Sequence, residues 1–196
     1  MPVRLGDKGQ SGFDEPLALL CDCHRRIERF LGVLRHAATR PCDGDLDQEL
    51  RQAVVTSLEY FRTAAPRHTA DEEDSLFPRL RDCTAPRGRV TLARLEQLEA
   101  DHEVAAAGHA EAHALLDEWL TDGKLARPRW ERLVVLLEEL EVLYWRHIAI
   151  EESELYPLAA ASLAREQLAA IGREMAQRRG LDPGGARHLG ATTRQS

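Results

Sequence analysis

A chain of 196 residues, 43% hydrophobic and 30% charged, is long enough for one domain with tails and apolar enough for a single core. Its formal net charge of −7 argues against nucleic acid, which calls for basic surface. No apolar run nears the roughly 20 residues of a membrane span, and the N-terminus has no apolar signal-peptide core.

Leu, Ala, Arg and Glu dominate, and no alternating run of β-branched residues occurs, so an all-α fold is expected. Residues 1–13, with Gly6, Gly9 and Gly12, read as a flexible lead. A first helix starts at Asp14, Glu15 and Pro16, an acidic cap before a proline at the first helical position. Its inward seam is Leu17, Leu20, His24, Ile27, Leu31, Leu34 and Ala38, spaced by threes and fours as in a bundle core. A second helix runs from about Leu46 to Leu80 with seam Leu50, Val54, Leu58, Phe61, Ala65, His68, Glu72 and Leu76. Pro66 interrupts its hydrogen-bond ladder, so a kink is expected there. After a loop at Thr84–Gly88, a third helix spans about Val90–Thr121, with seam Leu92, Leu95, Glu99, His102, Ala106, His109, His113, Leu116 and Leu120. A fourth starts near Pro128, with seam Leu133, Leu137, Leu140, Tyr144, His147 and Glu151. Residues 14–160 thus read as an up-down four-helix bundle, residues 161–180 as a short fifth helix packed back on it, and residues 181–196 as a disordered tail.

One pattern occurs twice. His68, Glu72, Glu73, Leu76, Phe77 and Pro78 match His147, Glu151, Glu152, Leu155, Tyr156 and Pro157, both reading H-x3-E-E-x2-L-(aromatic)-P. A further histidine precedes each copy, His24 by 44 residues and His102 by 45. The period near 78 residues marks a duplicated helical hairpin. His and Glu four apart share one helix face. Because alternate helices of an up-down bundle reverse, His24, His68, His102 and His147 fall at one level, with Glu72 and Glu151 beside them. Buried without partners, such groups cost roughly 1–3 kcal/mol each, and more when ionised. Together they would cancel much of a typical stability of about 5–15 kcal/mol. Metal ions remove the conflict. Imidazole with carboxylate suits iron, zinc or manganese, and two inward carboxylates favour a bridged pair.

At these residues the chain resembles the hemerythrin-like HHE cation-binding family, from about Pro16 to Ala160. The resemblance implies a carboxylate-bridged di-iron centre, with oxo or hydroxo bridging and the ligands His24, His68, Glu72, His102, His147 and Glu151. The chain departs from the oxygen-carrying hemerythrins at Ala106, where they place a second histidine of an H-x3-H pair, and at Glu151, where they place an aspartate. It is more similar to the bacterial branch, which includes proteins tied to iron–sulfur repair and nitrosative stress.

Weaker candidates surround this set. Tyr144, one turn before His147, is either core or a hydrogen-bonding partner or ligand at the metal. His109 and His113 read as core or access-channel histidines facing Phe61, Leu136 and Leu140. Glu28 is either an exposed partner of an arginine or an outer carboxylate behind His24. Glu73, Glu99, Glu103 and Glu152 are either alternative carboxylates at the metal or, for most of them, a solvated face. Cys21 and Cys23 flank His24 as buried or redox-sensitive thiols, and with Cys42 and Cys83 they show no zinc or dithiol spacing, which fits free thiols and a cytoplasmic location. Four histidines shared by two irons leave open positions for O2, peroxide or NO. The expected function is therefore binding or reduction of such molecules, or iron handling under stress. The alternative is a metal- or oxygen-sensing or iron-storage module without turnover.

Overall fold

The computed structural model describes residues 11–44, 46–84 and 88–181. Residues 1–10 of the lead expected over 1–13, the centre of the loop at 85–87 and residues 182–196 of the tail expected over 181–196 lie outside the described residues. Pro16 opens α1 (Pro16–Ala37), where its missing N–H costs nothing. The expected acidic cap is not used: Glu15 makes no side-chain cap, and its backbone N–H donates to Gly12 O at 3.1 Å.

The second bundle helix is divided. Asp47 caps α2 (Gln48–Thr63) through a 2.8 Å bond from the Leu50 N–H. Ala64 separates it from α3 (Ala65–Asp71), in which Pro66 takes a first-turn position. The expected kink thus falls just upstream of Pro66, which has no N–H for the Arg62 carbonyl. A π-helical turn (Glu72–Leu76) leads into α4 (Phe77–Thr84). The third bundle helix is α5 (Arg89–Asp122), closed by Gly123 at φ 68°, a left-handed conformation that glycine adopts without strain. The fourth is α6 (Arg127–Ile150), continued by a second π-helical turn (Glu151–Leu155) and α7 (Tyr156–Ser162).

α1 packs on α2 and α6, α5 on α6 and α2, and α4 on α5 and α7, the neighbour relations of an up-down bundle. α8 (Arg165–Arg178) lies against α1 and α3. It buries Ile171 and Met175 completely, worth about 1.5–3 kcal/mol each. Gly172 admits the chain before α1: a Cβ there would fall 1.8 Å from Phe13 O. Among the described residues, no helix is long and apolar enough to cross a membrane.

The core has two apolar clusters. One holds Ile27, Leu34, Val54, Phe61, Leu116, Trp119 and Leu137. The other holds Leu20, Leu76, Phe77, Leu98, Leu155, Tyr156, Ile171 and Met175. His24, His68, His102 and His147 lie in sequence between members of the two, as a buried polar layer. The seam expected for the third helix is rotated. Leu95, Leu98, His102, Ala105, Ala112, Leu116 and Trp119 are buried, whereas Ala106 is exposed and Glu99 is half-buried in a pair with Arg81. The large Trp119 ring, fully buried, draws the far end of α5 onto this face.

Candidate metal centre

Both π-helical turns begin at the glutamate of the repeated motif. The N–H of Phe77 donates to Glu72 O, and that of Tyr156 to Glu151 O, five residues back instead of four. Pro78 and Pro157 follow directly. In an unbroken α-helix each ring would crowd the carbonyl four residues earlier, and each lacks an N–H to continue the ladder. One extra residue in the turn relieves the crowding and re-phases the helix, so Leu76 and Phe77 are both buried, as are Leu155 and Tyr156. π-helical turns inside α-helices recur at functional sites. Their signal in the sequence was the proline two residues after each repeated leucine, read there only as the end of the motif.

All six expected residues meet. His24 Nε2 lies 3.1 Å from Glu151 Oε2, and His147 Nε2 lies 3.2 Å from Glu151 Oε1. His102 Nε2 and His68 Nε2 lie 3.3 and 3.6 Å from Glu72 Oε2. The donor atoms form two groups, each within 4.8 Å: His24, His68, Glu72 and Glu151, and Glu72, His102, His147 and Glu151. The two carboxylates belong to both groups. His24, Glu72 and Glu151 have no exposed surface, yet Glu72 Oε2, both Glu151 oxygens and His102 Nε2 have no hydrogen-bond partner. Native interiors rarely leave such atoms unpaired. Four imidazole nitrogens facing two shared carboxylates fit a pair of divalent ions.

The second glutamate of each motif has a role that the sequence reading missed. Glu73 Oε1 lies 2.7 Å from His102 Nδ1, and Glu152 Oε1 lies 2.8 Å from His24 Nδ1. A carboxylate there fixes the tautomer that turns Nε2 inward and raises the basicity of the ring. Their place beside the motif glutamates, on the edge of the buried face, made them look solvated. Glu28 is the ion-pair residue rather than an outer carboxylate: it binds Arg25 at 2.6 Å, and Arg25 binds Glu152 in turn. Glu103 is exposed.

Tyr156 also escaped the sequence reading, which weighed Tyr144. Tyr156 Oη donates to Glu72 Oε1 at 2.5 Å and lies 3.2 Å from His24 Nε2. Its ring stacks on His24, as that of Phe77 stacks on His102. Tyr144 instead bonds His109 Nε2 at 2.9 Å, outside both donor groups.

The charges follow from this packing. Burial opposes the charged form of His102, but the facing Glu72 and Glu73 carboxylates outweigh that and hold it at about 9. Burial likewise opposes the Glu151 carboxylate, and His147 and His24 outweigh it, lowering it to about 2. His68 is pushed down to about 3, chiefly by burial. His109, away from the carboxylates, falls to about 4 through burial alone. Burial pushes the Cys21 thiol up to about 11 and also raises Cys23, so both are poor thiolates.

A cavity of about 560 Å³ joins this layer to the surface. Its lining includes the four buried site histidines with Phe61 and Tyr144, the half-buried Thr69, His109 and His113, and the exposed Pro66, Ala106 and Ala110. His109 stacks on Phe61 at 4.0 Å between ring centroids. His109 and His113 are thus cavity-lining residues. Ala106 both lines the cavity and is exposed to solvent.

The hemerythrin HHE cation-binding domain model matches residues 15–159. The chain belongs to that family. A protein of Haemophilus influenzae that carries no functional name is 29% identical over 175 residues, covering 85% of this chain and 91% of its own length. As a hemerythrin-like domain the chain is a metal-cation-binding protein, with candidate His/Glu sites buried in its bundle. The matched region ends before α8.

Proposed function

We propose that the chain is a non-haem di-iron protein that binds or reduces O2, peroxide or NO. His24 and His68 would hold one iron, His102 and His147 the other, and Glu72 and Glu151 would bridge them. The observation that carries this reading is the sharing of both carboxylates by two four-residue donor groups with lone pairs left over. An iron pair supplies Lewis acidity and two redox equivalents. The protein supplies the surroundings. Glu73 and Glu152 orient His102 and His24, and the cavity admits a small molecule to the histidine layer while limiting bulk water. The pair formed by His109 and Tyr144 offers a neutral hydrogen-bonding group along that path. The small side chain of Ala106 leaves this approach open.

The test is metal content together with the absorption spectrum of iron-loaded, homogeneous protein. Close to two irons per chain with near-ultraviolet charge-transfer absorption is expected, and one iron or fewer overturns the dinuclear reading. Turnover of peroxide or NO by the same sample separates reduction from binding alone.

A further inference from the structure

The duplicated sequence builds a centre whose two halves correspond residue for residue: His24 with His102, His68 with His147, Glu72 with Glu151, and Glu73 with Glu152. The surroundings of the two halves do not match. Behind His102 stands Glu73, and Asp101 Oδ2 lies 3.6 Å from His147 Nδ1, its other oxygen anchored by Arg146 at 2.7 Å. In the other half, the residue matching Asp101 is Cys23, a neutral thiol. Among the described residues neither His68 Nδ1 nor His147 Nδ1 has a hydrogen-bond partner; the difference is the Asp101 carboxylate that stands 3.6 Å from His147 Nδ1. Glu152, behind His24, shares Oε1 with the Arg25 guanidinium, which draws charge away from the imidazole. The aromatic residues differ in the same sense. Tyr156 donates its hydroxyl proton to Glu72 Oε1, on the carboxylate both groups share, and holds its oxygen 3.2 Å from His24 Nε2, on a residue of the His24–His68 group alone. Phe77, its counterpart, brings only a ring to His102.

We propose that the two metal positions are unequal. The position on His102 and His147 fills first and holds its ion tightly. The position on His24 and His68 fills second and exchanges, and Tyr156 and Asp101 are the residues that set the difference. This rests on the dinuclear reading above. Two effects point the same way. Carboxylates behind ligating imidazoles raise metal affinity, typically by about 10–100-fold for a hydrogen-bonded partner; the first position has Glu73 bonded to His102 at 2.7 Å and Asp101 in ion-pair reach of His147, whereas the second has Glu152, shared with Arg25. An ion entering the second position meets the Tyr156 hydroxyl oxygen, 3.2 Å from His24 Nε2, and must move it aside at a cost to its bond with Glu72. The consequence is a defined one-metal state over a range of free metal, with the vacant half on the α1 side of the bundle.

The experiment titrates zinc(II) into the metal-stripped full chain against a chromophoric chelator, which gives the number of ions and two stepwise constants. Repulsion between two cations separates the steps even in a symmetric centre, so the variants decide. Tyr156→Phe is expected to tighten the second step about tenfold and to move the first far less, since only the shared Glu72 connects Tyr156 to it. Phe77→Tyr, which copies the hydroxyl into the other half, is expected to weaken the first step. Asp101→Asn is expected to weaken the first step by about 10–100-fold and spare the second. If Tyr156→Phe moves the first step as much as the second, or Asp101→Asn moves only the second, the assignment is overturned. A wild-type chain that saturates at one zinc instead overturns the dinuclear reading itself, and the ion count shows this before any affinity is compared.

Discussion

Tyr156 donates a 2.5 Å hydrogen bond to Glu72 Oε1 from the opposite hairpin of the bundle. It ties the end of one repeat to the candidate bridging carboxylate of the other. In the metal-free chain this bond satisfies an oxygen with no solvent access. Tyr156→Phe should therefore lower the stability of the metal-free protein by about 1–3 kcal/mol, the cost of an unpaired buried acceptor. Urea unfolding of both proteins after chelation checks this. An unchanged midpoint would mean that water replaces the hydroxyl.

His109 gives the clearest dependence on pH, because it is buried without a carboxylate beside it. Its imidazole takes a proton only near 4 in the fold, against 6.5 as its ordinary value. A folded value below the unfolded one means stability that is present above about 6.5 and is lost as pH falls toward 4. At pH 5 the loss is on the order of 2 kcal/mol. His109→Gln, which keeps an acceptor for Tyr144 but does not titrate, should flatten this part of the stability–pH curve. The difference between the melting temperatures of the two metal-free proteins at pH 7 and pH 5 measures it.

Much of this centre was legible in the sequence because two signals agreed. The helical period put six chemical residues on inward seams, and the duplication stated each of them twice. What the period could not show was how residues just off the seam reach back. Glu73 and Glu152 follow the inward glutamates, and one residue of helix turns them about 100° away; only the packed helices bring their carboxylates to the Nδ1 atoms of His102 and His24. Tyr156 was hidden for a related reason. Without the π-helical turn its phase on the helix differs, and a regular helix favoured Tyr144. The α5 seam was misplaced through Glu99 and Ala106 because Leu, Ala and Glu recur so densely there that two adjacent stripes fit the spacing equally well.

α8 is tied to the centre by charge. Asp71, fully buried between His68 and Glu72 in sequence, accepts from Arg178 at 3.0 Å and Arg179 at 2.7 Å. Removing both arginines leaves a buried carboxylate unpaired, which costs about 3–5 kcal/mol. Arg178→Ala with Arg179→Ala should therefore destabilise the bundle by several times the effect of Arg178→Ala alone, since one guanidinium still serves Asp71 in the single variant. Chemical unfolding of the three proteins gives the comparison.

The cavity wall offers a test of access that leaves the ligands alone. Ala106 and Ala110 are exposed and line the cavity, so a larger residue there can be carried without disturbing the core. Ala106→Leu should leave metal content unchanged and slow the binding of NO to the iron-loaded protein several-fold in stopped-flow measurements. An unaltered rate would place the entry elsewhere.

Glu151 links the stability of the metal-free fold to metal binding. Its carboxylate is held at about 2 by His147 and His24 against the effect of burial. The stabilisation this represents is present above about 4.5, the ordinary value, and is lost as pH falls toward 2. At pH 7 Glu151→Gln should thus cost the metal-free chain on the order of 2–3 kcal/mol. The same change alters a carboxylate that both candidate donor groups share. Binding to the folded state alone adds about 4 kcal/mol at a free metal level a thousand times Kd, a rise in melting temperature of roughly 8–16 °C for a domain of this size. The wild-type protein should show that rise and Glu151→Gln should lose most of it. A variant that melts lower without metal yet gains the full rise on loading would make Glu151 a partner of the histidines and no ligand, and the bridging role assigned to it would fall.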